Sequence, residues 1–276
     1  MNRSKPPNWY LDPLVAAQKR DVHREWILRN VPPGSKFQTV LKTDLFEEAN
    51  GRDQLLFSLP MDAGLKVGID ISAATVARAA DRASDSGCQF INADVRRLPL
   101  ADKRVDVVLS NSTLDHFDTE VEIEQSLQEL ARVLKPGGIL LVTLDNPRNV
   151  LFALLRAAVP WMGLSYRLGK TLPLNKLLGI LDRAGLESQS TGWLLHNPRF
   201  VSTLLFLVLR RLLGTRADPA IQWFLGVFSS FEKLPTRSLT GVFIAVCARK
   251  PAAFAASGNG PEVVLQHPID AALHVE

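Results

Sequence analysis

The sequence predicts an α/β protein with a doubly wound, mostly parallel sheet of seven strands and helical insertions near its C-terminal end. Short apolar runs alternate with helix-length amphipathic segments between residues 36 and 250. The run Val105–Ser110 is apolar at nearly every position, which is typical of a central parallel strand covered on both faces. Because strand–helix–strand units cross over with one hand, this alternation predicts parallel pairing in a Rossmann-like sheet.

The first half of the chain carries clear signals for where helices begin and end. Residues 1–35 are polar and interrupted by prolines, and their loose periodicity predicts one N-terminal helical segment. Ser72 is a suitable N-cap for the alanine-rich stretch that follows it. The predicted elements here are a helix ending before Pro32, strands at 39–41, 67–71 and 89–91, a helix at 73–83, and an ambiguous run at 55–61 that we expect to be helical after Gly51.

The middle of the chain holds the best-defined helix. Thr119 and Glu122 have the spacing of a capping box, apolar residues recur on one face after them, and Pro136-Gly137-Gly138 ends the pattern. The remaining predicted elements are strands at 105–110, 139–144, 186–195 and 239–248, with helices at 150–162, 175–184, 201–213 and 219–231. We expect the last strand to pair with 186–195 at the edge of the sheet.

Two apolar helical stretches, at about 150–170 and 199–235, do not fit simple alternation. Three interpretations stay open: a cap over an apolar substrate, a membrane-surface patch flanked by arginines, or helices that complete the core or form a homodimer. The flanking arginines are Arg199, Arg210, Arg211 and Arg216. The tail 251–276 is rich in Ala, Gly and Pro, and we expect it to be disordered.

Composition limits the function classes. The chain of 276 residues is 46% hydrophobic and 22% charged, and its net charge of +4 is spread along its length, which argues against a nucleic-acid partner. Cys88 and Cys247 lie in apolar runs without the spacing of a zinc site, so no metal is expected. The N-terminus lacks the apolar region of a signal peptide, and the expected location is the cytoplasm, with membrane association as an alternative.

Polar residues follow three predicted strands, at the edge where α/β sheets bind ligands. Asp70 can accept hydrogen bonds from both hydroxyls of a ribose, or can simply interact with the N-terminus of the next helix. Asp94 can accept from an adenine amino group while the N–H of Val95 donates to the ring, or can be an ordinary turn residue. Asn111 follows the fourth strand.

Two histidines are candidate proton acceptors. His116 follows the fourth strand beside Asp115 and could accept a proton at neutral pH, although packing in a loop is as good an interpretation. His196, after the sixth strand, is the second candidate.

The turn after the first strand lacks the glycines that let a backbone approach a phosphate closely. Asp44, Glu47 and Glu48 occupy this loop, and Gly51 comes well after it. Acidic side chains here would repel a pyrophosphate, which disfavours NAD, FAD and ATP. They would tolerate a cofactor that carries an ammonium and a sulfonium.

Together, the phrases GIDIS at 68–72, NADVRRLPLADKRVDVVLSNSTLDHF at 92–117 and LQELARVLKPGGILLVTLDNP at 127–147 resemble the class I S-adenosylmethionine-dependent methyltransferases, especially the ubiquinone/menaquinone type. The resemblance implies that Asp70 and its neighbour Ile71 contact the cofactor ribose and that Asp94 with Val95 contacts the adenine. Asn111 would lie beside the cofactor. The first motif departs from the family's acidic residue and GxGxG-like turn, and Asp44 would hold the methionine amino group.

The resemblance implies methyl transfer from S-adenosyl-L-methionine to a small, hydrophobic acceptor. Such in-line transfer depends mainly on alignment and exclusion of water, and it needs a base only when the acceptor is a poor nucleophile. A binding or scaffold protein that keeps the fold without catalysis is the alternative.

Overall fold

The computed structural model describes residues 12–51, 54–83, 86–150 and 169–252. The helix expected at 150–162 and the disorder expected at 251–276 fall almost wholly outside these residues. Within the described ranges, no helix combines the length and the hydropathy needed to cross a bilayer.

The elements alternate as the sequence predicts. The strands are β1 Lys36–Thr43, β2 Asp62–Asp70, β3 Cys88–Asn92, β4 Val105–Asn111, β5 Leu134–Asp145, β6 Glu187–Leu194 and β7 Phe243–Arg249. The helices are α1 Pro13–Asn30, α2 Phe46–Asn50, α3 Ala73–Arg82, α4 Glu120–Val133, α5 Leu174–Arg183, α6 Arg199–Leu213, α7 Asp218–Ser229 and α8 Arg237–Thr240.

The seven strands form one sheet in the order β3-β2-β1-β4-β5-β7-β6. All pairs from β3 to β5 are parallel, and β7 runs antiparallel to both of its neighbours. The predicted doubly wound α/β sheet is therefore confirmed. The order reverses between β1 and β4, since β2 and β3 lie on one side and β5 on the other, and this switch point is where open α/β sheets bind ligands.

Packing on both faces explains why the central strands are apolar. One core lies between the sheet and helices α4 and α5, and a second lies on the opposite face, which receives α1 and α2. In α1, Trp26 packs so closely on β6 that a Cβ at Gly192 would lie 2.9 Å from its ring. Strand β4 contributes to both cores, as its apolar run predicts.

Three local predictions need correction. The run 55–58 is a turn, and the short helix comes earlier, at α2, because Gly51 ends that helix in a left-handed conformation (φ +71°). Strand β5 begins at Leu134, so Pro136-Gly137-Gly138 lies within the strand and the helix stops before it. Strand β7 pairs with β6 but lies inside the sheet, which leaves β6 at the edge.

Candidate active site at the switch point

The carboxyl ends of β1 and β4 meet at the switch point. Thr43 pairs in register with Ser110, and the Thr43 hydroxyl donates to the Ser110 hydroxyl at 3.1 Å. The hydroxyl of Thr113 lies 2.7 Å from that of Thr43 and completes the chain of hydrogen bonds. These short side chains join the two strands without filling the space beyond their ends.

Asp44 follows β1 with a left-handed backbone, at φ +65°. Asp tolerates this conformation better than most residues, so Asp44 makes the turn that glycine would otherwise make. Its Oδ1 accepts a hydrogen bond from the Phe46 N–H at 2.7 Å. Strained residues of this kind concentrate at functional sites, and Ser112 after β4 is a second one, at φ +50°.

Asp44 lies within electrostatic reach of two other predicted site residues. Burial raises the pKa of the Asp44 carboxyl above its usual value, and the negative charge of Asp70 adds to the rise. Lys42 opposes the rise most strongly, and His116 opposes it more weakly. The structure therefore brings Asp44, Asp70 and His116 to one edge of the sheet.

Asp70 ends β2 and holds the neighbouring turn. Its Oδ2 accepts from the Leu45 N–H at 3.0 Å, and its Oδ1 accepts from the Ser72 N–H at 2.8 Å. Each carboxylate oxygen can accept a second hydrogen bond, so this structural role leaves room for a ligand hydroxyl. The next residue, Ile71, presents an exposed apolar side chain at the same edge.

The loop after β1 does not point three carboxylates at the cleft, so the argument from acidic repulsion needs correction. Glu48 is fully buried and pairs with Lys42 at 2.9 Å, while its other oxygen accepts from the Leu56 N–H. Glu47 pairs with Lys19 of α1 at 2.7 Å. Asp44 is the acidic residue of this loop on the side of Asp70 and His116, because α2 begins at once and turns both glutamates away.

Asp94 is clamped by an arginine that sequence analysis did not identify. The Nε and Nη2 of Arg96 donate to both Asp94 oxygens at 2.5 to 3.0 Å, and this hydrogen bonding holds the pKa of Asp94 below its usual value. Arg96 also contacts Glu122 at 2.6 Å and lies 5.0 Å from the ring centre of Phe117. The sequence signal that could have predicted this ion pair is the position of Arg96 two residues after Asp94. Since the side chain of Val95 is buried, the N–H is the group that it can offer a ligand.

The segment after β4 forms a compact polar turn. Ser112 Oγ donates to Asp115 Oδ2 at 2.8 Å, and the same oxygen accepts from the Asp145 N–H at 2.8 Å. Within the described residues, the buried Asp115 Oδ1 has no hydrogen-bond partner. His116 is exposed at the end of this turn, and Asn111 is half-buried at the end of β4.

His196 lies apart from the other predicted residues. It follows β6, the edge strand, which is separated from β4 by β5 and β7. Its Nδ1 lies 2.8 Å from the Thr240 hydroxyl and its Nε2 lies 3.2 Å from the Trp193 carbonyl. Burial lowers its pKa below the usual value. These contacts give it a local structural role, and they hold its ring within its own loop.

The hydrogen-bonding and charged groups at this edge suit a particular kind of ligand. Two carboxylates at the ends of β1 and β2 can accept from ribose hydroxyls and balance positive charge, and an exposed aliphatic side chain lies beside them. The cation nearest the turn, Lys42, is buried against Glu48 and the Asp44 carbonyl. These residues fit a cofactor that joins an adenosyl group to an ammonium and a sulfonium better than they fit a cofactor that contains a pyrophosphate.

A family model described as "Methyltransferase domain" matches residues 50–142, which run from the end of α2 to β5. The ubiquinone/menaquinone biosynthesis C-methyltransferase of Ectopseudomonas mendocina is 38% identical over 93 residues, which cover 33% of this chain and 32% of that protein. The tRNA (carboxymethyluridine(34)-5-O)-methyltransferase of Arabidopsis thaliana is 38% identical over 60 residues, which cover 22% of this chain and 15% of that protein.

Solved structures share the fold over most of the chain. The [4+2]-cyclase SpnF superposes with a TM-score of 0.56 at 22% identity, covering 84% of this chain and 81% of its own. A geranyl diphosphate methyltransferase in complex with SAM superposes with a TM-score of 0.54 at 15% identity, covering 86% of each chain.

Residues 50–142 match a methyltransferase domain, and the described chain has the fold of the class I S-adenosylmethionine-dependent methyltransferases. The chain matches less than a third of the length of the two curated relatives described above. Their acceptors differ, and one of them is a tRNA methyltransferase, so the expectation that excluded nucleic acid has no support from the comparisons.

Proposed function

We propose that this protein binds S-adenosyl-L-methionine at the carboxyl edge of β1, β2 and β4 and transfers its methyl group to a small, mainly apolar acceptor. The observation that carries the proposal is the placement of two carboxylates beside the switch point: Asp44 follows β1, and Asp70 Oδ2 accepts from the N–H of the adjacent Leu45 at 3.0 Å. Carboxylates are the groups that ribose hydroxyls and an ammonium require at this position of the fold.

Each part of the cofactor is assigned to a different residue. Asp70 accepts from the ribose with Ile71 packed alongside, Asp94 with the Val95 N–H holds the adenine, and Asp44 receives the amino group. Asn111, at the end of β4, lines the reacting side. When bound, the cofactor supplies an electrophilic methyl group on its sulfonium.

The chain's own contribution to the reaction is alignment. The hydroxyls at the switch point and the strained turns at Asp44 and Ser112 hold the two strand ends in one geometry. Where the acceptor must lose a proton, the exposed imidazole of His116 is the side chain at this edge that takes it. His196 is the weaker candidate because both ring nitrogens already have partners.

An apolar acceptor is supported by composition at the C-terminal end. Helices α6 and α7 carry many exposed aliphatic residues, and α6 begins where β6 ends, at the same edge of the sheet. A relative named for ubiquinone and menaquinone synthesis agrees with such a molecule, whereas a tRNA acceptor would be expected to use a basic cleft.

Calorimetric titration with S-adenosylmethionine and S-adenosylhomocysteine tests cofactor binding. Asp70→Asn keeps the size of the side chain but replaces one acceptor oxygen by an NH₂ group, and we expect affinity to fall about 10- to 100-fold, the usual loss for hydrogen bonds to a charged group. Asp62→Asn, at the opposite end of the same strand, is the matched control and should bind normally.

The outcomes separate the candidate functions. Binding of neither ligand to the folded wild-type chain would refute the proposal and favour a scaffold protein. A heat of binding measured in a titration with NADH, and with neither of these ligands, would favour a reductase.

The acceptor is tested with radiolabelled methyl donor, bulk tRNA and a panel of phenols, quinols and fatty acyl compounds. Radioactivity in the organic extract supports an apolar acceptor, and radioactivity in the tRNA refutes the proposal that the acceptor is a small apolar molecule. His116→Gln should lower kcat while leaving cofactor affinity unchanged.

A further inference from the structure

Helix α6 is apolar on both its inner and its outer face. The inner face buries Phe206, whose ring makes an edge contact with Phe224 of α7 at 5.3 Å. With Ala217, Ile221 and Leu225, this residue forms a small core separate from the two cores of the sheet, against Leu14 and Val15 of α1. The inner face is therefore fully used by packing.

The outer face of α6 is aliphatic where a surface helix is normally polar. Leu204, Val208 and Leu212 recur every four residues and form one ridge, with Leu204 65% and Leu212 74% exposed. Leu205 and Leu207 flank the ridge and are also exposed. Contiguous exposed apolar residues of this kind mark an interaction surface.

Helix α7 also exposes apolar side chains. Trp223 is 72% exposed, and Val227 lies one turn further along the same side. An exposed tryptophan beside aliphatic residues is typical of segments that lie in a membrane interface, where its ring is partly apolar and its N–H remains hydrated. We call Leu204, Leu205, Leu207, Val208, Leu212, Trp223 and Val227 the apolar face.

The charges within α6, α7 and the turns beside them are mainly positive, while Asp21 and Glu25 of α1, which line the groove against α7, pair with Arg20 and Arg29. Residues 199–233 contain five basic and two acidic residues. The two acidic residues are already paired, Asp218 with Arg210 and Glu232 with Arg29. Among the described residues, no carboxylate pairs with Arg211, Arg216 or Lys233, which are all exposed. Arg211 lies on the outer side of α6 between Leu207 and Leu212.

We propose that the apolar face and these three cations dock the protein on the surface of a lipid bilayer that contains anionic lipids. The helices lie in the plane of the interface, the aliphatic ridge and Trp223 enter the boundary between headgroups and chains, and the cations meet the lipid phosphates. This docking does not require methyl transfer. It would present the edge of the sheet where α6 begins to molecules dissolved in the membrane.

Charge argues for lipid over a second copy of the chain. In a two-fold dimer, the same patch meets itself, so Arg211, Arg216 and Lys233 of both copies would face each other. The nearby carboxylates cannot compensate, because they are engaged with Arg210 and Arg29. An anionic surface satisfies the apolar ridge and the cations together.

Vesicle co-sedimentation of the full chain without cofactor tests the proposal. We expect the chain to bind vesicles of phosphatidylcholine with about a third phosphatidylglycerol, and to bind pure phosphatidylcholine at least tenfold more weakly. Leu212→Ser should lower the partition coefficient about tenfold, because it removes an inserted side chain. Val121→Ser, which changes a 62% exposed residue on α4, is the matched control and should bind normally.

The charge component has its own pair of variants. Arg211→Gln should reduce binding to the anionic vesicles about fivefold, and Arg104→Gln, at the exposed residue just before β4, should not. Quenching of tryptophan fluorescence by brominated lipid should be smaller in Trp223→Phe than in the wild type, which would locate that residue in the interface.

Three results would overturn the proposal. The first is absence of vesicle binding by the folded wild-type chain. The second is a dimer in light scattering that Leu212→Ser dissociates, which would assign the face to a second copy. The third is protection of Trp223 and Leu212 from hydroxyl-radical oxidation in the free monomer, which would mean that another segment of the same chain covers the face.

Discussion

The buried ion pair between Lys42 and Glu48 allows the sharpest test of how the turn after β1 is held. Both side chains are almost completely excluded from solvent, and the Glu48 oxygen opposite the lysine accepts from the Leu56 N–H at 2.9 Å. Glu48→Gln keeps the shape and the acceptor for Leu56 but removes the negative charge. It therefore removes this counter-charge of Lys42 and turns an amide NH₂ group toward the ammonium.

The expected loss is large compared with that for a surface pair. Removing one partner of a buried pair destabilises a protein by about 3–5 kcal/mol, whereas an exposed pair contributes about 0–1 kcal/mol. Native domains are stable by only about 5–15 kcal/mol, so Glu48→Gln should shift the unfolding midpoint visibly. Since Lys42 also contacts the Asp44 carbonyl, cofactor affinity should fall as well.

Urea unfolding of four proteins measures the effect: the wild type, Glu48→Gln, Lys42→Met and the double variant. The matched control is Glu120→Gln, which breaks the exposed pair with Lys176 and should cost less than about 1 kcal/mol. We expect a strongly favourable coupling energy between Glu48 and Lys42 in this double-mutant cycle. The double variant should lose less free energy of unfolding than the two single variants lose in total. A loss below about 1 kcal/mol for Glu48→Gln, matching the control, would show that water screens the pair and would refute this reasoning.

Three further predictions concern other buried groups. Burial lowers the pKa of His23 to about 4, and its Nδ1 already faces the Lys19 carbonyl at 2.7 Å. Because the unfolded histidine binds protons at higher pH than the folded one, stability should fall as pH drops from about 6.5 to 4, by on the order of 3 kcal/mol, and His23→Asn should flatten that part of a urea-midpoint profile. A Cβ at Gly68 would lie 2.5 Å from Leu45 and 2.9 Å from Leu56, so Gly68→Ala should cost about 1–3 kcal/mol and weaken cofactor binding, while Gly226→Ala, which meets nothing within 4 Å, should do neither. Burial raises the pKa of Cys247 to about 11, so at pH 8 about one thiol in a thousand is ionised and iodoacetamide should label Cys88 first; equal rates in the native protein would contradict this assignment.

Much of the fold was predictable because its signals are local. The capping box of Thr119 and Glu122 forms as expected, since both residues lie within one turn of the same helix. The apolar run of β4 predicts a central strand, and the structure confirms a strand covered on both faces. The family resemblance also rests on short phrases, and the comparisons confirm it.

The errors concern segments whose conformation depends on distant partners. The run 55–58 has helical apolar content, but its Leu56 N–H donates to the buried Glu48, and Gly51 has already ended the preceding helix. Strand β7 is placed inside the sheet by pairing with β5, a contact between residues about a hundred positions apart. No local pattern encodes such a pairing.

The sequence by itself predicted the resemblance to methyltransferases, the doubly wound sheet and the strand ends at which Asp44, Asp70, Asp94 and Asn111 lie, because strand boundaries and polar strand ends follow from local patterns along the chain. Only the tertiary structure decided which charges face the cleft. It turned Glu47 and Glu48 toward Lys19 and Lys42, clamped Asp94 with Arg96, and placed His196 at the far edge of the sheet. Whether a carboxylate is available to a ligand depends on its partners in space, and those partners come from other strands and helices.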